Sequence, residues 1–208
     1  TYVVGGKVLS TDENSDLGKG KYLVAEADES DGTFIHLQPD VALITNIDDD
    51  HLAHYNNIFE NLLDSFVTFL ENIPFWGYMV VNGDDKDVIN VSKRISRKQV
   101  TFGESKNCNY QISNIRSANG TQSFQISDAR KDKAYNFLLN IPGKHNVFNA
   151  AGSIAVALEE DIEIETIQKA ISEFSGVGRR YEKHSINIAS KDIISVSYTH
   201  LTLPTTSM

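Results

Sequence analysis

Val41-Ala42-Leu43-Ile44-Thr45-Asn46-Ile47-Asp48 is an apolar, β-branched run that turns polar at its end. That is the pattern of a parallel strand buried on both faces whose carboxyl end leaves the core. Upstream, Lys21 to Ala27 has the same form and runs out into Glu26-Ala27-Asp28-Glu29. Downstream, Ile58, Phe59, Leu62, Leu63, Phe66, Val67, Phe69 and Leu70 recur mostly at three- and four-residue spacing, so 56–72 is predicted to be an amphipathic helix. Tyr78 to Asn82 reads as the next strand. Asp84 and Asp85 open a helix reaching about Ile95, since Asp is favoured where a first turn leaves amides unpaired. Gln99 to Phe102 is a fourth short strand. Such alternation predicts an α/β fold with a doubly wound, mostly parallel sheet. In sheets of this kind the ligand crevice lies beyond the carboxyl ends of the strands, so the polar residues there become the candidates.

From Asn109 the period changes to two. Asn109 to Arg116, Thr121 to Ser127 and Tyr135 to Ile141 are expected as an appended small antiparallel sheet, the first two joined through Asn119-Gly120. Helices return at 146–159 and 163–174, ahead of a basic, glycine-containing hinge at Gly176-Val177-Gly178-Arg179-Arg180-Tyr181. The last residues, 196–208, are Thr-rich, short in period and interrupted by Pro204. They read as a non-native tail, to be set aside from the fold.

The chain has 208 residues, 19 Lys+Arg against 28 Asp+Glu and a formal net charge of -9, which disfavours a partner made of nucleic acid. With 40% hydrophobic and 23% charged residues it is a globular chain, not a disordered one. Cys108 is the single cysteine, so an internal disulfide is excluded and a reducing, cytoplasmic setting is expected. No run reaches the ~18 apolar residues of a membrane helix, so membrane insertion is not expected.

Glu26 and His51 lie just past two expected strand ends. A carboxylate and an imidazole there are suited to a magnesium ion carried by phosphates, although the spacing alone favours a cap, turn or supporting role. Asp28, Glu29, Asp31, Asp48, Asp49 and Asp50 deepen the negative field and read mostly as a solvated rim. Gly143-Lys144-His145-Asn146 precedes a helix bearing Asn149. Carboxamides that donate and accept suit a purine edge and first-turn amides suit an anion, while Asn146 serves equally as a helix cap. Arg179 and Arg180 suit either a phosphate clamp or an exposed hinge.

Taken in order, Glu26-Ala-Asp-Glu-Ser-Asp31, Thr45-Asn-Ile-Asp48 through His51, Gly143-Lys-His-Asn146 with Asn149, and Gly178-Arg-Arg180 resemble the Mur ligase family over residues 1 to about 182. His36-Leu-Gln-Pro39 and Ile73-Pro-Phe75 resemble its alanine-adding branch. The resemblance implies a P-loop-type central domain and ATP-dependent ligation of L-alanine to the lactyl carboxylate of UDP-N-acetylmuramate. The reaction would pass through an acyl phosphate, with ATP and Mg2+ as cofactors. It implies Glu26 and His51 as magnesium-associated residues, His145, Asn146 and Asn149 as nucleotide contacts, Asn46 as support for the strand-end site, and Arg180 as a substrate or phosphate contact.

Two departures stand out. Ala53 occupies the place where the family commonly has Asp two positions after the metal-associated histidine, and no Gly-x-x-Gly-Lys-Thr/Ser loop occurs in the chain. The expected organisation is therefore a central ATP-binding domain over 1–181 without its upstream phosphate loop, the start of a C-terminal ligase domain over 182–195, and the tail over 196–208. The isolated chain is expected to be inactive. The alternatives are a peptidoglycan-recycling ligase attaching a peptide to the same sugar nucleotide, and a non-catalytic nucleotide-binding module.

Overall fold

A computed structural model describes residues 1–49, 52–178, 180–188 and 191–198, the last two by their backbone course. The chain divides into two compact units, one formed by residues 1–26 and 175–208 and the other by residues 27–174.

In the first unit, β1 (Tyr2–Val8) is the middle strand of three. β2 (Glu13–Asp16) pairs with it antiparallel and β3 (Val24–Ala25) parallel, with Tyr2 opposite Val24. Asp12, at φ 56, makes the tight reversal between β1 and β2, a backbone conformation that Asp tolerates better than most residues. Residues 176–178 run beside β1. The Leu9 amide donates to the Gly176 carbonyl at 3.0 Å and the Gly178 amide to the Lys7 carbonyl at 2.6 Å. Gly6 is needed at that approach because a Cβ there would collide with Val177.

The parallel strand expected over Lys21 to Ala27 is present in its direction, but only two residues of it pair, and Leu23 and Val24 are 66% and 62% exposed. Burial was inferred from an unbroken apolar run. A two-residue pairing at a sheet edge leaves those side chains in solvent.

The second unit carries a six-stranded sheet ordered β4-β5-β6-β7-β8-β9. Its strands are β4 (Val41–Ile44), β5 (Tyr78–Asn82), β6 (Lys98–Gly103), β7 (Tyr110–Ala118), β8 (Thr121–Asp128) and β9 (Lys133–Leu139). β4 to β7 run parallel, and β7, β8 and β9 alternate. The α/β class expected from the sequence is the one observed. The antiparallel strands continue the parallel ones, because Phe102 and Gly103 of β6 pair with Tyr110 and Gln111 of β7. Asn119 and Gly120, at φ 51 and 81, form the two-residue turn between β7 and β8, where both positions require a left-handed backbone.

Four helices cover this sheet: α1 (Phe59–Glu71), α2 (Lys86–Ser92), α3 (Lys144–Glu159) and α4 (Ile164–Glu173). β5 is buried throughout, and its alternate side chains enter two cores. Met79 and Val81 pack with Leu62, Leu70 and Val91 of α1 and α2, and Val80 packs with Ala151, Ile154 and Ile167 of α3 and α4. α1 begins at Phe59, later than the spacing implied, because Asn56 and Asn57 both adopt φ 57 and break the path from the one-turn 3-10 helix Leu52–Tyr55. The carboxylate of Asp85 caps α2, accepting from the amides of Asp87 at 3.0 Å and Val88 at 2.9 Å.

Also in the first unit, β10 (Arg180–Ile188) and β11 (Lys191–Tyr198) pair antiparallel. Residues 196–198 of the suspected tail are the end of β11, and residues 199–208, Pro204 among them, lie outside the described residues.

Candidate functional site

The carboxyl ends of β4, β5 and β6 are joined to one another by side chains. Asn82, the last residue of β5, is only 8% exposed. Its Nδ2 donates to the Thr45 carbonyl just past β4 at 2.9 Å, and its Oδ1 accepts from the Asp84 amide at 3.0 Å. A buried carboxamide is tolerable when both of its ends are satisfied in this way. The Asp84 carboxylate in turn accepts from the amides of Glu104 at 2.5 Å and Ser105 at 3.1 Å, just past β6.

α3 brings its first turn to this same edge. Lys144 Nζ donates to Glu104 Oε2 at 2.5 Å, while at the other end of the helix Glu159 Oε2 accepts from Lys98 Nζ, on the first residue of β6, at 2.8 Å. α3 therefore runs antiparallel to β6, with its amino terminus at the carboxyl edge of the sheet. Gly152 permits close seating, since a Cβ there would lie 2.7 Å from Leu43 Cδ1 and 3.1 Å from the Phe102 ring.

No side chain caps α3. It starts from Gly143, at φ 104, so the reading of Asn146 as its cap is corrected. Asn146 lies within the first turn and its Nδ2 donates back to the Pro142 carbonyl at 2.8 Å. His145 and Asn149 are exposed beside it. First-turn amides lack intrahelical partners and favour anions, so this end can receive a phosphate while the carboxamide side chains offer both donors and acceptors.

Asn46 is exposed past β4, donating through Nδ2 to Asp48 Oδ2 at 2.7 Å and accepting from Thr45 Oγ1 at 3.1 Å. Glu26, in the first unit, accepts from the Gly5 amide at 2.6 Å through Oε2. His51 and Asp50 lie outside the described residues, as does Arg179, and Arg180 enters only as the first residue of β10. The structure thus brings Asn46, Asn82, Asp84, Glu104 and the first turn of α3 to one edge of one unit.

The acidic stretch is largely occupied in turns. Asp28 accepts from the Ser30 amide at 2.9 Å, and Asp31 from the Thr33 amide at 2.9 Å and hydroxyl at 2.7 Å. The Thr33 hydroxyl is the first cause holding the Asp31 carboxyl below its ordinary range. The Tyr55 hydroxyl donates to the Glu29 carbonyl, and burial raises that phenol above its usual value. Among the described residues no three His, Cys, Asp or Glu side chains converge as a metal cage. Magnesium keeps several waters and takes one or two carboxylates beside substrate phosphates, so a single oxygen donor such as Glu26 suits that ion when it arrives with a nucleotide.

The sequence reading missed Asn82, Asp84 and Glu104 as parts of this edge. Asn82 carried a legible signal, a polar residue closing an apolar strand just as Asn46 does. Asp84 and Glu104 gave none, because their link spans residues that are distant in sequence.

A family model described as the Mur ligase middle domain matches residues 8–157. The chain belongs to the Mur ligase family. It is 43% identical over 186 residues to UDP-N-acetylmuramate–L-alanine ligase of Psychrobacter sp. (strain PRwf-1), covering 89% of this chain and 39% of that protein. The protein of the same name from Chromobacterium violaceum is 42% identical over 187 residues, with 88% of this chain and 40% of that one covered. Among solved structures, the UDP-N-acetylmuramate-alanine ligase of Thermotoga maritima matches with a TM-score of 0.76 and 26% identity over 93% of this chain and 42% of that one. The UDP-N-acetylmuramate:L-alanyl-gamma-D-glutamyl-meso-diaminopimelate ligase of Neisseria meningitides matches with a TM-score of 0.72 and 22% identity over 86% and 58%, a likeness of fold alone. The chain spans about two fifths of the length of the curated Mur ligases it matches. No helix among the described residues is long and apolar enough to cross a membrane.

Proposed function

We propose that this chain is the nucleotide-handling part of an ATP-dependent ligase that joins L-alanine to UDP-N-acetylmuramate through an acyl phosphate, in the cytoplasmic synthesis of peptidoglycan precursors. The observation that carries this reading is 41–43% identity, along about nine tenths of the chain, to proteins named for that reaction. The carboxyl-edge arrangement of β4, β5, β6 and α3 supports it, because that is where an open α/β sheet receives a ligand.

In this reading His145, Asn146 and Asn149 hold the nucleotide at the first turn of α3. Glu26 and His51 hold magnesium, which when bound neutralises charge on the phosphoryl oxygens. Asn46, tied to Asp48 and Thr45, steadies the strand end from which the segment bearing His51 departs. Arg180 holds an anionic group of the substrate. Glu26 keeps its carboxylate aimed by accepting from Gly5, so the side chain is oriented before any ligand arrives.

The test uses the full-length protein with ATP, magnesium and UDP-N-acetylmuramate, offered either L-alanine or the tripeptide L-alanyl-γ-D-glutamyl-meso-diaminopimelate. Phosphate release and product mass are followed. Product with alanine alone is expected. Product with the tripeptide alone assigns the recycling reaction in its place, and nucleotide binding without phosphate release in either arm leaves a binding module.

A further inference from the structure

The geometry points to Glu104 and Lys144 as a latch that positions the nucleotide-binding first turn of α3, an inference that rests on the nucleotide reading above. Glu104 is held from three sides. Its amide donates to Asp84 Oδ2 at 2.5 Å, its carbonyl accepts from Gln111 Nε2 at 3.0 Å, and its carboxylate accepts from Lys144 at 2.5 Å. Gly103 makes the approach of Asp84 possible, since a Cβ at that position would come within 2.6 Å of the Asp84 carboxylate. The main chain of Glu104 is thus fixed to the ends of β5 and β7 while its side chain reaches across to α3.

Lys144 is fixed in turn. Its ammonium lies 5.7 Å from the centre of the Phe148 ring, one helical turn on, as well as against Glu104. It is the first residue of α3, immediately before His145 and Asn146, and it follows a glycine whose φ of 104 gives the backbone wide freedom. A helix start without a side-chain cap, entered from such a residue, keeps freedom to fray at Lys144 and His145, ahead of the Asn146 bond to the Pro142 carbonyl. The ion pair to a rigid post removes that freedom before the nucleotide binds, and pre-organisation of this kind appears as ligand affinity.

The latch acts through position and not through contact with the nucleotide, and this separates it from the obvious alternative that Lys144 itself binds phosphate. Glu104→Gln leaves Lys144 in place and frees it. If Lys144 bound phosphate directly, the freed ammonium would bind as well or better. If the pair is a latch, affinity falls.

The experiment measures binding of β,γ-imido-ATP with magnesium to the full-length protein by calorimetry, alongside steady-state kinetics and melting temperature. For Glu104→Gln and Lys144→Met the expected result is a loss of nucleotide affinity of about three- to tenfold, of similar size in each and not larger in the double variant. Lys144→Arg should retain affinity near wild type. The loss should appear in the KM for ATP, and the melting temperature should stay within about 2 °C of wild type, because an exposed ion pair contributes little to stability. Unchanged or tighter binding by Glu104→Gln, or losses that add in the double variant, overturn the latch. Wild-type protein that binds the nucleotide but ligates nothing sinks the ligase reading and leaves the latch to be decided by the variants. Wild-type protein that binds no nucleotide removes both.

Discussion

Glu159 accepts from Lys98 at 2.8 Å, tying the carboxyl end of α3 to the first residue of β6. The same carboxylate accepts through its other oxygen from Tyr110 at 2.8 Å and from Arg130, and its side chain is only 6% exposed. Burial pushes the Glu159 carboxyl up, but the hydrogen bonds from Arg130, Lys98 and Tyr110 outweigh it and bring the group down to about 2. A carboxyl depressed in the folded state adds stability that is present above its ordinary value of 4.5 and is lost as the pH falls through about 2. Glu159→Gln should therefore lower stability at pH 7 by about 1–3 kcal/mol, because the charge is lost and one of the two oxygens accepting from Arg130, Tyr110 and Lys98 becomes an amide donor. In urea titrations the gap between variant and wild type should hold down to about pH 5 and then close towards pH 2. A gap independent of pH would contradict this account.

Glu26→Gln isolates charge from shape. A glutamine carbonyl oxygen still accepts from Gly5, so the local structure and the circular dichroism spectrum should be unchanged. In the full-length protein, the magnesium concentration needed for half-maximal ligation should rise and kcat should fall by about 100-fold or more. Wild-type magnesium dependence in this variant would remove Glu26 from the metal site.

Asn82→Leu tests the join between strand ends. It deletes the donor to the Thr45 carbonyl and the acceptor for the Asp84 amide while keeping an apolar volume, at an expected cost of about 1–3 kcal/mol. Asn82→Asp keeps the acceptor for the Asp84 amide but sets a buried carboxylate oxygen against the Thr45 carbonyl, so its loss should be at least as large. Chemical denaturation reads both, and a neutral Asn82→Leu would show that water replaces the amide.

Trp76, the only tryptophan, is 67% exposed, and its indole Nε1 donates to Asp40 Oδ1 at 3.2 Å. Fluorescence emission of the folded chain should already resemble that of a solvated indole and shift little on unfolding, and iodide should quench it strongly. A blue-shifted, protected spectrum would place the residue elsewhere.

The parts of the fold that were legible from sequence are those in which local pattern and tertiary environment agree. β5 is legible to the residue because four apolar residues closed by Asn82, set between turns, have one comfortable setting, the middle of a sheet. The start of α1 was misplaced because Ile58 continues the helical spacing while the left-handed pair Asn56 and Asn57 governs the backbone. β7 reads from sequence as the start of an appended antiparallel sheet, because its period of two says which face is wet but not which strand lies beside it. That is settled by the two pairs that Phe102 and Gly103 make across sequence. At the candidate site, the helix-start pattern singles out Asn146 and Asn149, and the family resemblance singles out Asn46. Neither singles out Asp84 and Glu104, because their hydrogen bond joins loops twenty residues apart.

The turn at Asn119 and Gly120 closes the hairpin of β7 and β8, on the antiparallel side of the sheet away from β4 and β5. Asn119 is exposed, and the strands on either side are held by their own register from Ala118 and Thr121 onwards. That makes the hairpin tip a natural port for cargo. An epitope or fluorescent reporter spliced there would travel with the protein while leaving the ligand edge to its own chemistry.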